Sequence, residues 1–310
     1  MASTQKIDFK NFTWINITKP TEKVLLDLQQ KYGFHPLDVA DCLKPSQRSK
    51  IDVYPSYTFL VFLFPKYKRQ SRAIYAEELN FFIGGKYLIS VGQGDLEIFN
   101  QFFERFKIST ELRDQYQDKS PERLLYEIIN RLYIYCFPMV DHLSKDCDNI
   151  EEAIFSGHER RMVSEILIIR RNITDLRKTM QVHKNVLKKA ILEFKNNPLY
   201  AMKKTDVYFE SLVDYSKEIW DALENLKERI EALQQTNESQ ISFRLSDIMR
   251  ILTTISVITF PVTLLATIFG MNTIHAMPFI NHPYGFWYVI IIMFFIIGLM
   301  ITIFKKNKWM

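Results

Sequence analysis

Charge is missing where a water-exposed chain would carry it. From Ile251 to Phe304 there is no Asp, Glu, Lys or Arg, which excludes an ordinary solvated surface for that stretch. Cysteine is scarce as well. Cys42, Cys136 and Cys147 are the 3 in 310 residues and show no CxxC spacing, so reduced, buried thiols are expected rather than a disulfide framework. The first ten residues, MASTQKIDFK, hold no apolar stretch of the kind a signal peptide needs. Gly92-Gln93-Gly94 follows a strand-like run, but neither a third Gly nor Gly-Lys-Ser/Thr comes after it, so the turn lacks the pattern of a nucleotide phosphate loop. The net charge is +5, and Lys305, Lys306 and Lys308 account for part of it. The remainder is near balance, which argues against a nucleic-acid partner.

Two apolar runs fill the uncharged stretch, Ile251–Phe269 and Phe286–Phe304. At ~1.5 Å rise per residue each can cross a ~30 Å hydrocarbon layer. The connection 270–285 holds Pro278, Pro283 and Gly285 and is too short for a domain. Together they predict a two-span membrane hairpin, followed by a basic tail at 305–310. Arg244 and Arg250 precede the first span, and the three lysines follow the second. Both ends are therefore expected in the cytoplasm, in a multi-pass protein of the cell membrane. Trp287 and Trp309 sit at the two interfaces of the second span.

Residues 1–118 read as an α/β domain. Thr13–Ile17, Tyr57–Phe64, Leu79–Ile83 and Tyr87–Val91 are aromatic and β-branched runs bounded by turn formers. Gly84-Gly85 predicts a hairpin turn, and Thr21–Lys31 and Leu96–Phe106 have helical spacing. Residues 119–247 read as a helical stalk. Ser120-Pro121-Glu122 is a helix start, a capping Ser before Pro at the first position. That helix is expected to run to Phe155, and a second from Glu159 to Phe194. A third begins near Thr205-Asp206 and continues through the stalk to Phe269, about 65 residues or roughly 100 Å. The membrane domain, 248–310, then starts inside this helix.

The third helix carries a seam of Tyr208, Leu212, Tyr215, Ile219, Leu223, Leu226, Ile230 and Leu233 in steps of three and four. Beside it lies an acidic set, Asp206, Glu210, Asp214, Glu218, Asp221, Glu224, Glu228 and Glu231. The second helix is basic, with Arg160, Arg161, Arg170, Arg171, Arg177, Lys178, Lys184, Lys188, Lys189 and Lys195. These sets either pair with each other and water, or some of the acids collect divalent cations, for which carboxylate oxygens suit Mg²⁺. In the first span Ser246, Met249, Leu252, Thr253, Ser256, Phe260 and Thr263 share one side. Any one hydroxyl there is explained by a bond to its own backbone. A polar strip ending in Gly270-Met271-Asn272 instead suggests a water-filled path. Two spans cannot enclose a path, so several chains around an axis are required.

These residues resemble the CorA-type magnesium transporter family over nearly the whole chain. The signature is Phe269-Gly270-Met271-Asn272 after Thr259-Phe260-Pro261-Val262-Thr263, with two terminal spans and the tail Lys305-Lys306-Asn307-Lys308-Trp309. His35-Pro36-Leu37, Asp41-Cys42-Leu43, Gln47-Arg48-Ser49-Lys50, Phe81-Phe82-Ile83-Gly84 and Ser120-Pro121-Glu122 agree. The resemblance implies a homopentamer with a cytoplasmic funnel and the first span lining the pore. It implies passive Mg²⁺ uptake, with Co²⁺ and Ni²⁺ as further cargo and neither cofactor nor nucleotide. Gly270, Met271 and Asn272 would be the selectivity filter, Asn272 meeting the hydrated ion, with Gly270 permitting the backbone turn. Met249 and Leu252 match the family's apolar constrictions, and Ser246, Ser256, Phe260 and Thr263 would complete the pore lining.

Three positions depart from the pattern. Where the family commonly has Met-Pro-Glu, the chain has Met277-Pro278-Phe279, and the outer loop contains no acid but His275 and His282. Those histidines either take a softer cation or are plain surface residues. At the family's regulatory acid stands Ser211, and the facing segment Lys66-Tyr67-Lys68-Arg69-Gln70 is basic, which leaves Glu210 and Asp214 as candidate ligands. Phe260 replaces a Met and would narrow the path. Zn²⁺ transport is the alternative within the same fold. A non-conducting membrane-anchored coiled-coil scaffold is the alternative outside it. His142 and Cys147 with Asp141, Asp146 and Asp148 form a local cluster that a helix surface explains without enzymatic chemistry.

Overall fold

The computed structural model describes residues 3–44, 48–200, 206–272, 278–279 and 282–307. Strands β1 (Ser3–Asp8), β2 (Thr13–Thr18), β3 (Lys50–Val53), β4 (Thr58–Lys68), β5 (Ala73–Gly84) and β6 (Tyr87–Gly92) make one sheet in the order β1-β2-β6-β5-β4-β3. The pair β2–β6 is parallel and the other four pairs are antiparallel. Helices α1 (Glu22–Tyr32), α2 (Pro36–Leu43), α3 (Glu97–Ile108), α4 (Thr110–Asp114), α5 (Pro121–Phe155), α6 (Glu159–Met180), α7 (His183–Asn196), α8 (Asp206–Phe269) and α9 (Gly285–Lys306) complete it.

The strands alternate sides, and both sides are apolar. Ile15, Ile17, Phe59, Val61, Phe82, Ile89 and Val91 form one face with Leu25 of α1 and Val39 and Cys42 of α2. Trp14, Leu60, Phe62, Phe64, Phe81 and Leu88 form the other, which is continuous with buried residues of α3, α5, α6, α7 and α8 as far as Leu233. Trp14 anchors it, with its ring 4.7 Å from Phe103 and its Nε1 donating to Ser90 Oγ at 3.0 Å. The chain divides into two compact units, Met1–Gln235 and Thr236–Met310. All three cysteines are free and buried.

The elements expected from periodicity are present, and four others are not foreshadowed by it. β1 buries only Ile7 and β3 only Ile51, because both are sheet edges carrying polar and charged residues. α2 and α4 are too short to show a period. The expected single helix Glu159–Phe194 is two helices, broken at Gln181-Val182 without Gly or Pro. The break turns His183 into the core, where its ring nitrogens reach the Tyr133 hydroxyl at 2.9 Å and the Leu63 carbonyl at 2.8 Å. The expected Gly84-Gly85 turn is shifted by one residue. Gly84 pairs with Tyr87 in the ladder, leaving Gly85-Lys86 as the turn. Ser120 has the extended backbone of an N-cap, but its hydroxyl makes no capping bond. Of the apolar seam on α8, Leu212 to Leu233 is buried or half-buried, whereas Tyr208 is exposed and its neighbour Phe209 takes the core position.

Candidate functional site: the exposed end of α8 and its terminal tripeptide

α8 reaches Phe269 as one helix because nothing before Pro261 interrupts it, and Pro261 is accommodated within it. Its last part and α9 each contain an apolar window long enough to cross a membrane, with mean hydropathy 2.0 and 2.7. Ser246, Met249, Leu252, Ser256, Phe260 and Thr263 are all exposed on α8; the apolar ones, Met249, Leu252 and Phe260, are 59%, 57% and 71% exposed. Large side chains so bare, within or at the edge of a stretch without charge, call for lipid or other chains as cover.

Five hydroxyls of this stretch are committed in one direction. Ser256 Oγ donates to Leu252 O at 2.9 Å, Thr259 to Ile255 O at 2.8 Å, Thr263 to Thr259 O at 3.0 Å and Thr267 to Leu264 O at 2.8 Å. Thr254 does the same to Arg250 O at 2.8 Å. A hydroxyl has one proton, so each of these oxygens can act further only as an acceptor; Ser256, Thr259, Thr263 and Thr267 are exposed, whereas Thr254 is buried. The backbone-bonded arrangement that makes a lone Ser or Thr unremarkable in a membrane helix therefore leaves the strip suited to groups that donate protons.

The helix ends at the tripeptide. Gly270 N donates to Ala266 O at 2.9 Å, Met271 N to Ile268 O at 3.3 Å, and Met271 and Asn272 are exposed beyond them. The expectation that Gly270 turns the chain through glycine's conformational freedom needs correcting. Gly270 does not adopt the left-handed conformation, and a Cβ there would make a tight contact, 3.1 Å from Ala266 O. Of the outer loop, His275 and Met277 lie outside the described residues, as do Lys308 and Trp309 of the tail. Phe279 has φ 69°, and its carbonyl accepts from His282 N at 3.1 Å. A Cβ on Gly285 would come 2.2 Å from that carbonyl, so glycine is required there. The His282 ring lies 5.1 Å from Tyr288.

The candidate regulatory residues lie in the first unit. Glu210 and Asp214 are exposed on α8, and Ser211 Oγ donates to Tyr208 O at 2.7 Å. Most of the basic segment 66–70 is strand: Lys66, Tyr67 and Lys68 belong to β4, paired with Tyr75, Ile74 and Ala73. Lys66 is already engaged, with Nζ 3.2 Å from Asp95 and 4.0 Å from Glu77. Burial, then the Asp95 charge, raises the Glu77 carboxyl above its ordinary value. Sequence spacing could not expose this triad, whose members come from β4, β5 and the turn before α3. Among the described residues no group of three or more His, Cys, Asp and Glu is placed to hold a metal ion.

Two weaker sites dissolve. The Gly92-Gln93-Gly94 turn borders a cavity of about 10 Å³ shared with Glu77, Glu78 and Asp95, a space for one water and an acidic wall that repels phosphate. Gly94 is there because φ is 79° and a Cβ would meet Thr18 Cγ2 at 2.3 Å. Cys147 is buried while His142, Asp141 and Asp148 are exposed, and burial pushes its thiol up to about 11, the opposite of an activated nucleophile.

A family profile described as CorA-like Mg²⁺ transporter protein matches residues 9–306. The cobalt/magnesium transport protein CorA of Thermotoga maritima is 27% identical over 299 residues, covering 96% of this chain and 83% of that one. That of Methanocaldococcus jannaschii is 23% identical, covering 98% and 94%. The complete structure of the CorA magnesium transporter from M. jannaschii superposes with a TM-score of 0.81 at 20% identity, over 99% of this chain and 94% of that one. The ZntB cytoplasmic domain from Vibrio parahaemolyticus gives 0.60 at 10% identity, over 76% and 89%.

Proposed function

The chain belongs to the family of CorA-like Mg²⁺ transporter proteins, and from that premise we propose that it forms a homopentameric channel for passive Mg²⁺ uptake, with Gly270, Met271 and Asn272 as the selectivity filter. Residues 1–118 and 119–247 are its cytoplasmic part, 248–310 its membrane part, and both termini are cytoplasmic. Co²⁺ and Ni²⁺ are further cargo. The observation that carries the reading is the strip from Ser246 to Thr263, in which the Ser256 and Thr263 hydroxyls are backbone-bonded and can only accept.

Mg²⁺ holds its water tightly and favours near-octahedral coordination. Water on a cation turns its protons outward, so a path lined by acceptors carries the ion with its shell in place. The Ser256 and Thr263 oxygens and the Asn272 amide oxygen supply such acceptors, and none has to replace a water on the metal. Rings of Met249 and Leu252, apolar and otherwise uncovered, gate by losing water, and Phe260 narrows the path between them and the filter. The membrane potential drives the ion, at ~4.6 kcal/mol per 100 mV for two charges. The outer mouth has no acidic ring in this reading, since Phe279 stands where the family commonly keeps an acid.

Flux into proteoliposomes under an inside-negative potential, with Mg²⁺, Co²⁺ and Zn²⁺ in competition, tests it. Mg²⁺ entry is expected. Intact vesicles that admit no Mg²⁺ overturn transport, and Zn²⁺ entry in preference to Mg²⁺ overturns the ion assignment.

A further inference from the structure

β5 pairs with β6 only from Leu79 to Gly84, so its first half has no strand on that side. Asn172 of α6 stands in for one: its Oδ1 accepts from Ile74 N at 3.2 Å, and its Nδ2 donates to the Arg72 carbonyl at 3.0 Å. Between this end of the β4–β5 ribbon, α5 and α6 lies a cavity of about 340 Å³, within the ~300–1,000 Å³ range of small-molecule sites. Its floor is apolar, with Ile74, Leu143 and Ile169 buried and Met139 and Ile168 half-buried. Its rim is polar and exposed, made by Tyr67, Arg69, Arg72 and His142, and Asp146 lies half-buried in the α5 wall.

Two charges of this lining are unmatched. The Arg72 guanidinium is not one of them, since it donates to both carboxylate oxygens of Glu165, at 2.9 and 2.6 Å. Among the described residues neither Arg69 nor Asp146 has an ion pair or a side-chain hydrogen bond. Burial raises the Asp146 carboxyl above its ordinary value, which the Arg72 and His142 charges offset only in part. The turn that carries Arg69 is fixed beforehand. Arg72 has φ 49°, a left-handed backbone that a residue with a Cβ keeps only when its surroundings impose it. Here its N donates to Arg69 O at 3.3 Å, its carbonyl accepts from Asn172 and from Arg171 Nη2, and Glu165 holds its side chain. Such preorganisation lowers the entropy a ligand must give up.

We infer that this cavity binds a small zwitterion with an apolar body, the compact case being a free amino acid with a large apolar side chain. Its carboxylate meets Arg69, its ammonium meets Asp146, and its side chain covers Ile74, Leu143 and Ile169. A simple anion would leave Asp146 unmatched, and a simple cation would leave Arg69 so. Occupancy neutralises Arg69 and thereby lowers the charge of the basic segment 66–70. Every lining residue belongs to the first unit, so the site is independent of the proposed pore.

Calorimetric titration of the full-length protein in detergent with L-phenylalanine tests the site. Saturable binding of one molecule per chain is expected. It should be at least tenfold tighter than that of N-acetyl-L-phenylalanine, which lacks the ammonium, or of L-phenylalaninamide, which lacks the carboxylate. Asp146→Asn and Arg69→Ala should each weaken L-phenylalanine at least tenfold. Asp146→Asn should then bind the N-acetyl form as well as the amino acid, and Arg69→Ala the amide as well as the amino acid. Neither side chain has a partner to lose, so both variants should unfold at the parent's temperature without ligand. No saturable binding by the folded parent overturns the inference, as does binding that neither substitution weakens. Amide or N-acetyl form bound by the parent as tightly as the amino acid overturns the zwitterion.

Discussion

Acidification should destabilise the first unit through a single buried imidazole. His183 is 0% exposed, held between the Tyr133 hydroxyl and the Leu63 carbonyl. A carbonyl can only accept, so Nε2 carries the proton and Nδ1 accepts from Tyr133, which makes the neutral ring the one the site fits. Burial lowers its pKa from 6.5 to about 4. The unfolded chain therefore takes up a proton below pH 6.5 that the folded chain refuses until pH 4. Stability from this residue is complete above pH 6.5 and is lost as the pH falls from there to 4. At 1.36 kcal/mol per pKa unit the loss is about 3 kcal/mol. The assay is thermal unfolding of the detergent-solubilised protein across that window, compared with His183→Gln, which keeps a donor and an acceptor but does not titrate. Asp38, Glu77 and Asp146, whose pKa values are raised chiefly by burial, titrate alike in both proteins and cancel in the difference. Parallel pH profiles for parent and variant would refute a neutral, buried His183.

The remaining predictions concern conduction. Asn272→Ala should abolish Mg²⁺ uptake while the oligomer still assembles, because the residue is exposed and takes no part in either buried apolar core; near-normal flux by the assembled variant removes the filter assignment. Met249→Asp or Leu252→Asp should raise leak current at fixed voltage by wetting an apolar ring, and unchanged current in both assembled variants means that these residues do not gate. Closure by cytoplasmic Mg²⁺ should need less ion in Ser211→Asp, since a carboxylate replaces one neutral oxygen. It should need more in Glu210→Ala/Asp214→Ala. Titrations of patch currents that coincide for all three proteins place the sensor elsewhere.

The long helices were legible in the sequence because their determinants are local. Asp206–Phe269 contains no Gly and no Pro before Pro261, and the absence of charge after Ile251 is a property of neighbouring residues. The signature around Gly270-Met271-Asn272 was equally legible, being contiguous. Edge strands β1 and β3 were not, since pairing rather than composition makes them strands: Lys6 lies opposite Ile15, and Lys50 opposite Val61. The break at Gln181-Val182 carries no local signal either. It exists because His183 finds partners on β4 and α5, far away in sequence. Lys66 is legible in the sequence only as part of a basic segment, and the fold alone brings Asp95 and Glu77 to it. The hydroxyls of the first span could be read from sequence as polar, but whether they donate inward or outward depends on side-chain rotamers that helix geometry settles. Local patterning thus determined which segments are helical and which avoid water. Tertiary structure decided which charges are already satisfied and which face outward unpaired, because that depends on residues the chain brings together from far apart.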